Sequence, residues 1–230
     1  MILVPVKILA DAKQRLSGIL SSEERVALAQ AMCEDVLQTL ANWQNRTSLA
    51  MAMTMEVAVV TSDSFASGLA ARFKFDVIAD ANSGETSAIE MATAVCKARG
   101  ARSTLVVPAD IPLIDSAELQ TIIESAPPDG TVLVPDAEGR GTNAALRSPG
   151  DLFPLRFGND SFLPHQAAAR ATGLPCVILR LPGIARDIDR PQDLHQLSAA
   201  SGERQSQKLV RSWNLTDRVL AKSSAVADEL

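Results

Sequence analysis

The stretch Leu105-Val106-Val107-Pro108-Ala109-Asp110-Ile111-Pro112-Leu113 decides how the rest of the chain is read. It begins as a short apolar run with β-branched residues, the pattern of a strand buried on both faces. Two prolines then bracket a single carboxylate, Asp110. Proline cannot donate to a central ladder, so the strand is expected to end here and release Asp110 at its carboxyl end. In open α/β sheets, ligands occupy the crevice beyond those ends. A carboxylate held there suits a hard cation such as Mg²⁺. The competing role for Asp110 is to cap the helix that follows.

Working outward, Ile2 to Val6, Val57 to Val60 and Asp76 to Ala79 read as further strands, and Thr131 to Val134 follows the turn Pro127-Pro128-Asp129-Gly130. Ser21 stands three residues before Glu24, a capping box that opens a helix with Val26, Ala29, Cys33, Val36 and Leu40 on its apolar face. Residues 7–20 read as a polar loop, and Asn42 to Thr54 as a connection of uncertain helical content. Helices are expected over Ser64 to Arg72, up to Arg99 after the turn at 80–84, over Ala117 to Ser125 and over Phe162 to Ala171. Asn143 to Arg147 suggests a short strand and Cys176 to Leu181 a last one. Pro191 suits the first position of a closing helix with Leu194 and Leu197. This alternation predicts a three-layer α/β fold on a mainly parallel sheet, as one domain over 1–200. Residues 201–230 are polar and read as a loosely attached tail; if helical, it would carry Leu209, Trp213 and Leu220 on one face.

Composition removes several classes of function. A net charge of −5 argues against nucleic acid as a partner. The three cysteines, Cys33, Cys96 and Cys176, are scattered, with no CxxC or Cys/His cluster, so neither zinc nor a disulfide framework is indicated. No apolar run approaches membrane-spanning length and no signal peptide is legible, so a cytoplasmic protein without a membrane partner is expected.

Four constellations carry chemistry. Lys7, Lys13 and Arg15 lie in the loop beyond strand one, as a triphosphate requires, although GxxxxGK[ST] is missing. Asp187 and Asp189, two apart in an extended segment, point the same way and offer metal ligands alongside Asp110, or a cap for the helix at Pro191. Gly139-Arg140-Gly141-Thr142-Asn143 permits close approach and offers a hydroxyl. Phe157-Gly158-Asn159-Asp160-Ser161 precedes a helix whose N-terminus favours an anion. His165 sits beyond it with no Ser/His/Asp pattern around it, and reads as a packed or capping residue.

Taken together, Pro5-Val6-Lys7, Ala12-Lys13-Gln14-Arg15-Leu16, Pro108-Ala109-Asp110-Ile111-Pro112, Gly141-Thr142-Asn143 and Phe157-Gly158 to His165 resemble the CofC/FbiD family over residues 1–197. The resemblance implies a nucleotide-diphospho-sugar transferase (glycosyltransferase-A-like) fold and a guanylyltransferase of coenzyme F-420 biosynthesis. Its substrates would be GTP and a small phosphorylated acid: phosphoenolpyruvate, 2-phospho-L-lactate or 3-phospho-D-glycerate. It further implies Mg²⁺ on Asp110 with Asp187 or Asp189, triphosphate contacts from Lys7, Lys13 and Arg15, and acid contacts from Thr142, Gly158 and Ser161; it allows a homodimer. The chain departs from many relatives at Gly84-Glu85-Thr86, where they carry Gly-Leu-Asn, and at Arg190, where Thr is usual. The rival readings are a molybdopterin-type nucleotidyltransferase and a non-catalytic nucleotide-binding protein.

Overall fold

The computed structural model describes residues 1–50, 55–80, 84–158 and 160–215. Its core is a seven-stranded sheet in the order β3-β2-β1-β4-β6-β5-β7. The strands are β1 (Ile2–Val6), β2 (Val57–Thr61), β3 (Asp76–Ala79), β4 (Thr104–Val106), β5 (Gly130–Pro135), β6 (Thr142–Ser148) and β7 (Cys176–Ile178). β1 pairs in parallel with both β2 and β4, placing Leu3 beside Ala58 and Val106. β6 runs antiparallel between β4 and β5, and at seven residues it is longer than the short strand expected.

Central strands read as continuous apolar runs because both faces are covered. Ile2, Val4, Val59, Leu105 and Val107 face one layer, formed by α1 (Ser22–Ala50), α2 (Ser64–Phe73) and α4 (Ser116–Glu124). Leu3, Ala58, Val60 and Val106 face the other, formed by α3 (Glu85–Ala98) and α5 (Phe162–Ala171). A third cluster joins Leu28 and Met32 of α1 to Leu194 and Leu197 of α6 (Pro191–Ala199) and Val210 of α7 (Gln205–Ser212). Each such buried Val, Leu, Ile or Met side chain contributes roughly 1.5–3 kcal/mol.

Two expectations change. The segment Asn42 to Ala50 continues α1 rather than leaving it, and the remainder of that connection, 51–54, lies outside the described residues. Its polar residues hide the reason: Trp43 is buried, and its indole N–H donates to Gln120 Oε1 on α4 at 3.0 Å. Residues 205–215 are not loosely attached. The Asp35 carboxylate of α1 accepts the N–H of Gln205 (2.9 Å), the N–H of Ser206 (2.9 Å) and the Ser206 hydroxyl (2.6 Å), so α1 caps α7 from across the interface. The buried face of α7 is Ser206, Gln207 and Val210 rather than the Leu209 face, and Leu220 lies outside the described residues. No helix among the described residues is long and apolar enough to cross a membrane.

Candidate active site

The chain leaves β1 at Lys7 and makes two short 3-10 turns, Leu9–Asp11 and Gln14–Leu16, where a plain loop was expected. Asp63 ties this excursion down. One of its oxygens caps α2 at Ala66 N–H (3.0 Å) and the other accepts Leu9 N–H (3.0 Å). Between the turns, Lys13 adopts the left-handed region (φ 56°) and aims its side chain inward. Its ammonium donates to Asp110 Oδ2 at 2.7 Å and Asp189 Oδ1 at 2.8 Å, with the side chain only 7% exposed. Burial alone would lower the Lys13 pKa, but the two carboxylates outweigh it and hold the group above the ordinary lysine range. An ammonium carries three N–H donors, so one remains for the cavity that Lys13 lines. Arg15 reaches Asp189 Oδ2 at 3.2 Å, and Lys7 pairs with Glu85 at the start of α3 at 3.0 Å.

Helix capping does not account for the three aspartates. Asp115 caps α4, accepting Glu118 N–H at 2.8 Å, which leaves Asp110 free of that duty. Asp193 accepts the N–H groups of Asp189 (3.0 Å) and Arg190 (2.6 Å) at the start of α6. The segment carrying Asp187 and Asp189 is pinned from three sides: Ile188 N–H donates to Asp110 O (3.1 Å), Asn143 Nδ2 donates to Ile184 O (3.0 Å), and Gly183 N–H donates to Glu118 Oε1 (2.7 Å). Asn143 also donates to Asp187 Oδ1 at 3.1 Å. Burial, and next the charge of Asp110, nonetheless raise the Asp187 pKa. Asp189 is lowered instead: burial works against it, and the Lys13 and Arg15 charges prevail.

Gly183 admits no side chain, since a Cβ would lie 2.5 Å from both Leu113 O and Glu118 Oε2. The backbone contact cannot yield cheaply. Gly183→Ala is therefore expected to cost about 1–3 kcal/mol and to lower the melting temperature by several degrees, measured by thermal denaturation. An unchanged melting temperature would mean that the segment is free to shift.

On the far side of Asp110, the Asp136 carboxylate closes the turn at 139–141 by accepting Arg140 N–H (2.8 Å) and Gly141 N–H (2.7 Å). This brings Thr142 against Ser161: Thr142 N–H donates to Ser161 Oγ at 3.1 Å. The first amide of α5, Phe162 N–H, donates to Arg140 O at 2.8 Å, so the donors left for an anion here are hydroxyls rather than that amide. Gly158 is required by its backbone conformation and not by crowding. A Cβ would meet open space, but its φ of +139° disfavours any L side chain. Asn159 of the same turn lies outside the described residues.

His165 is buried behind this wall, and burial, with the nearby Arg147 charge, pushes its pKa down from 6.5 to about 4. The unfolded chain therefore binds a proton between those values that the folded chain refuses. This contribution to stability is complete above about pH 6.5 and is lost progressively as the pH falls toward 4. Urea midpoints should fall across that window more steeply in the native protein than in His165→Asn. Parallel curves would show that His165 titrates normally in the fold.

Two depressions meet along this line. One, of about 800 Å³, lies over the Lys7–Arg15 loop, Gly84 and Ala88. The other, of about 640 Å³, is lined by Thr142, Asn143, Gly158, Ser161 and the 185–190 segment. They share Lys7, Arg15, Glu85, Pro108, Asp110 and Asp189. The two cavities could thus present two anionic reactants to one another across a row of paired charges.

The Guanylyl transferase CofC like family matches residues 1–227. The chain belongs to that family. The match extends past the 1–197 range read from motifs and takes in α7. A phosphoenolpyruvate guanylyltransferase from Sphaerobacter thermophilus is 35% identical over 85% of this chain and 90% of the relative. A 3-phospho-D-glycerate guanylyltransferase from Colwellia psychrerythraea is 32% identical over 87% and 91%. Among solved structures, a protein described as a nucleotide-diphospho-sugar transferase from Desulfovibrio desulfuricans G20 superposes with a TM-score of 0.73 at 18% identity, over 92% of this chain and 93% of that one. The fold is therefore the one the motifs implied.

The structure brings all eight motif residues (Lys7, Lys13, Arg15, Asp110, Asp187, Asp189, Thr142 and Ser161) and Gly158 to the walls of these two cavities. Sequence reading assigned no role to Asp63, Glu118, Asp136 and Asn143, which hold those walls in place. Asp63 and Glu118 carry ordinary capping signals, and only their second partners, Leu9 N–H and Gly183 N–H, are long-range.

Proposed function

We propose that the protein is a guanylyltransferase that joins GTP to a small phosphorylated carboxylic acid, releasing pyrophosphate. The observation that carries this reading is the pair of cavities sharing Asp110, Lys7 and Arg15. The larger cavity, walled by the Lys7–Arg15 loop, takes the nucleotide. The smaller, with the hydroxyls of Thr142 and Ser161, takes the acid. A phosphate oxygen of the acid attacks the α-phosphorus of GTP, the new P–O bond forms, and the bond to the α,β-bridging oxygen breaks. The nucleophile is already ionised at neutral pH, so no general base is needed. Lys7, Lys13 and Arg15 neutralise the departing pyrophosphate, and the two walls set the approach.

The residues present suit Mg²⁺. Among the described residues no group of three His, Cys, Asp or Glu is arranged to hold a metal ion. Mg²⁺, however, is commonly held by one or two carboxylates together with substrate phosphates. Asp189 has one oxygen on Lys13 and the other on Arg15, whereas Asp187 is raised by its burial and by facing Asp110, a local excess of negative charge that a divalent cation relieves. Asp110 and Asp187 would therefore hold the ion, with Asp189 keeping the cations in place. When bound, Mg²⁺ would supply positive charge to the phosphates.

The acid would be phosphoenolpyruvate, 2-phospho-L-lactate or 3-phospho-D-glycerate, and the product a GDP-linked precursor in coenzyme F-420 biosynthesis, made in the cytoplasm. Pyrophosphate release measured for GTP, ATP and CTP against each acid and against a molybdopterin acceptor tests this. Release that needs GTP and one of the acids together is expected. Release with CTP and a pterin would favour the rival nucleotidyltransferase, and none with any pair would leave a nucleotide-binding protein.

A further inference from the structure

We infer that His165 is a positioning residue that forces the Thr142 hydroxyl to act as a hydrogen-bond donor toward the acid. The inference rests on the placement of the acid beside Thr142 and Ser161, and deepens it.

The chain of bonds has a fixed direction. A backbone N–H can only donate, and Arg156 N–H donates to His165 Nε2 at 2.8 Å. Nε2 is therefore unprotonated, and in the neutral ring the proton must sit on Nδ1. Nδ1 lies 2.9 Å from Thr142 Oγ1, so the imidazole donates and the threonine oxygen accepts. Thr142 then has its own O–H proton left over, and among the described residues no protein group takes it. Ser161 is set in the same way, because its Oγ accepts Thr142 N–H at 3.1 Å. Two hydroxyls lining the smaller cavity are thus both left with a proton to give. An acid bearing a carboxylate and a phosphate has only acceptors to offer on those groups. Had the ring been the other tautomer, or charged, Arg156 N–H would face an N–H. The ring is held in place by burial and by an edge-on contact with Phe157, ring centres 5.3 Å apart. Its pKa, pushed down to about 4, keeps the ring neutral at neutral pH.

The order of importance follows. Thr142→Val, which removes the donor itself, should raise the KM for the acid about tenfold while leaving the KM for GTP little changed. His165→Leu should give a smaller loss in the same direction, because the Thr142 hydroxyl keeps its proton but loses the donor that fixes its orientation. The double variant should be no worse than the poorer single one, since both changes cut one link. His165→Asn places an amide N–H where Nδ1 stood, and should restore most of the acid affinity although it cannot accept from Arg156. A residue with a merely structural role would give none of this recovery, and its loss would add to that of Thr142→Val.

The experiment is steady-state kinetics on the four variants with GTP and the best acid, together with long-range ¹⁵N–¹H NMR of the histidine rings in the unmodified protein. The spectrum reads the tautomer even if a variant fails to fold. A neutral ring protonated on Nδ1, non-additive losses and rescue by Asn are expected. A ring protonated on Nε2, or additive losses, overturns the inference while leaving the acid site where it is. An unchanged acid KM in Thr142→Val overturns both the inference and the placement of the acid on which it rests.

Discussion

Asp110→Asn is expected to lower kcat by a factor of about 10²–10³ and to leave the melting temperature within a few degrees of the native value. The amide has the shape of the carboxylate and keeps an oxygen for the Lys13 ammonium, which retains Asp189 as its charged partner. Asp110 caps no helix, so no secondary structure depends on its charge. What the change removes is one negative charge at the point where the two cavities meet. In the proposed reaction that charge would help to hold Mg²⁺. Rates at saturating GTP, acid and Mg²⁺, with a thermal melt of the same preparation, check it. Turnover near the native rate would remove Asp110 from the reaction.

Lys13→Ala is expected to raise the KM for GTP about tenfold to a hundredfold, matching the roughly 1.5–3 kcal/mol of a charge-assisted hydrogen bond, with a much smaller effect on the acid. It also strips the counter-charge from between Asp110 and Asp189. Asp189 owes its lowered pKa to Lys13 and Arg15 prevailing over burial. A carboxylate lowered by folding lends stability above its ordinary pKa, and loses it as the pH falls through the folded value. The variant should therefore be less stable at neutral pH and show a weaker loss on acidification. Arg15→Ala should do less on both counts, because more than half of its side chain is in solvent. Equal rises in KM for GTP and acid would make Lys13 part of the scaffold alone.

The legible parts of this molecule were those whose signals are local. β1, β2 and β4 are apolar runs covered on both faces, and the Ser21–Glu24 box at the head of α1 is present as read, with Ser21 N–H donating to Glu24 at 2.9 Å and Glu24 N–H to Ser21 Oγ at 3.2 Å. What escaped reading depends on distant partners. α7 looked like a tail because two of its three buried residues, Ser206 and Gln207, are polar, and they are satisfied by Asp35 and by Ala200 O, which no local pattern reveals. The stretch of α1 from Asn42 looked like a connection because, over 42–46, only Trp43 is buried among polar neighbours.

The same division holds at the site. Prolines and glycines marked Asp110, Thr142, Gly158 and Ser161 because turns need them. That Lys13 turns inward to two carboxylates, and that Glu118 and Asn143 fix the 183–189 segment, are facts of tertiary geometry. His165 read as a packed residue, and it is packed. Its ring nitrogens matter because of Arg156 N–H and Thr142, nine and 23 residues away.

In the proposed reaction the α-phosphorus of GTP passes to the acid across the line where the two cavities meet. The most direct measurement follows GTP labelled separately at its α- and γ-phosphates through one turnover with the acid. The α-label is expected in a product joined to the acid by a P–O–P link, with the γ-label in pyrophosphate. Transfer of the γ-label to the acid, or release of both labels without any acid-linked product, would contradict the proposed reaction.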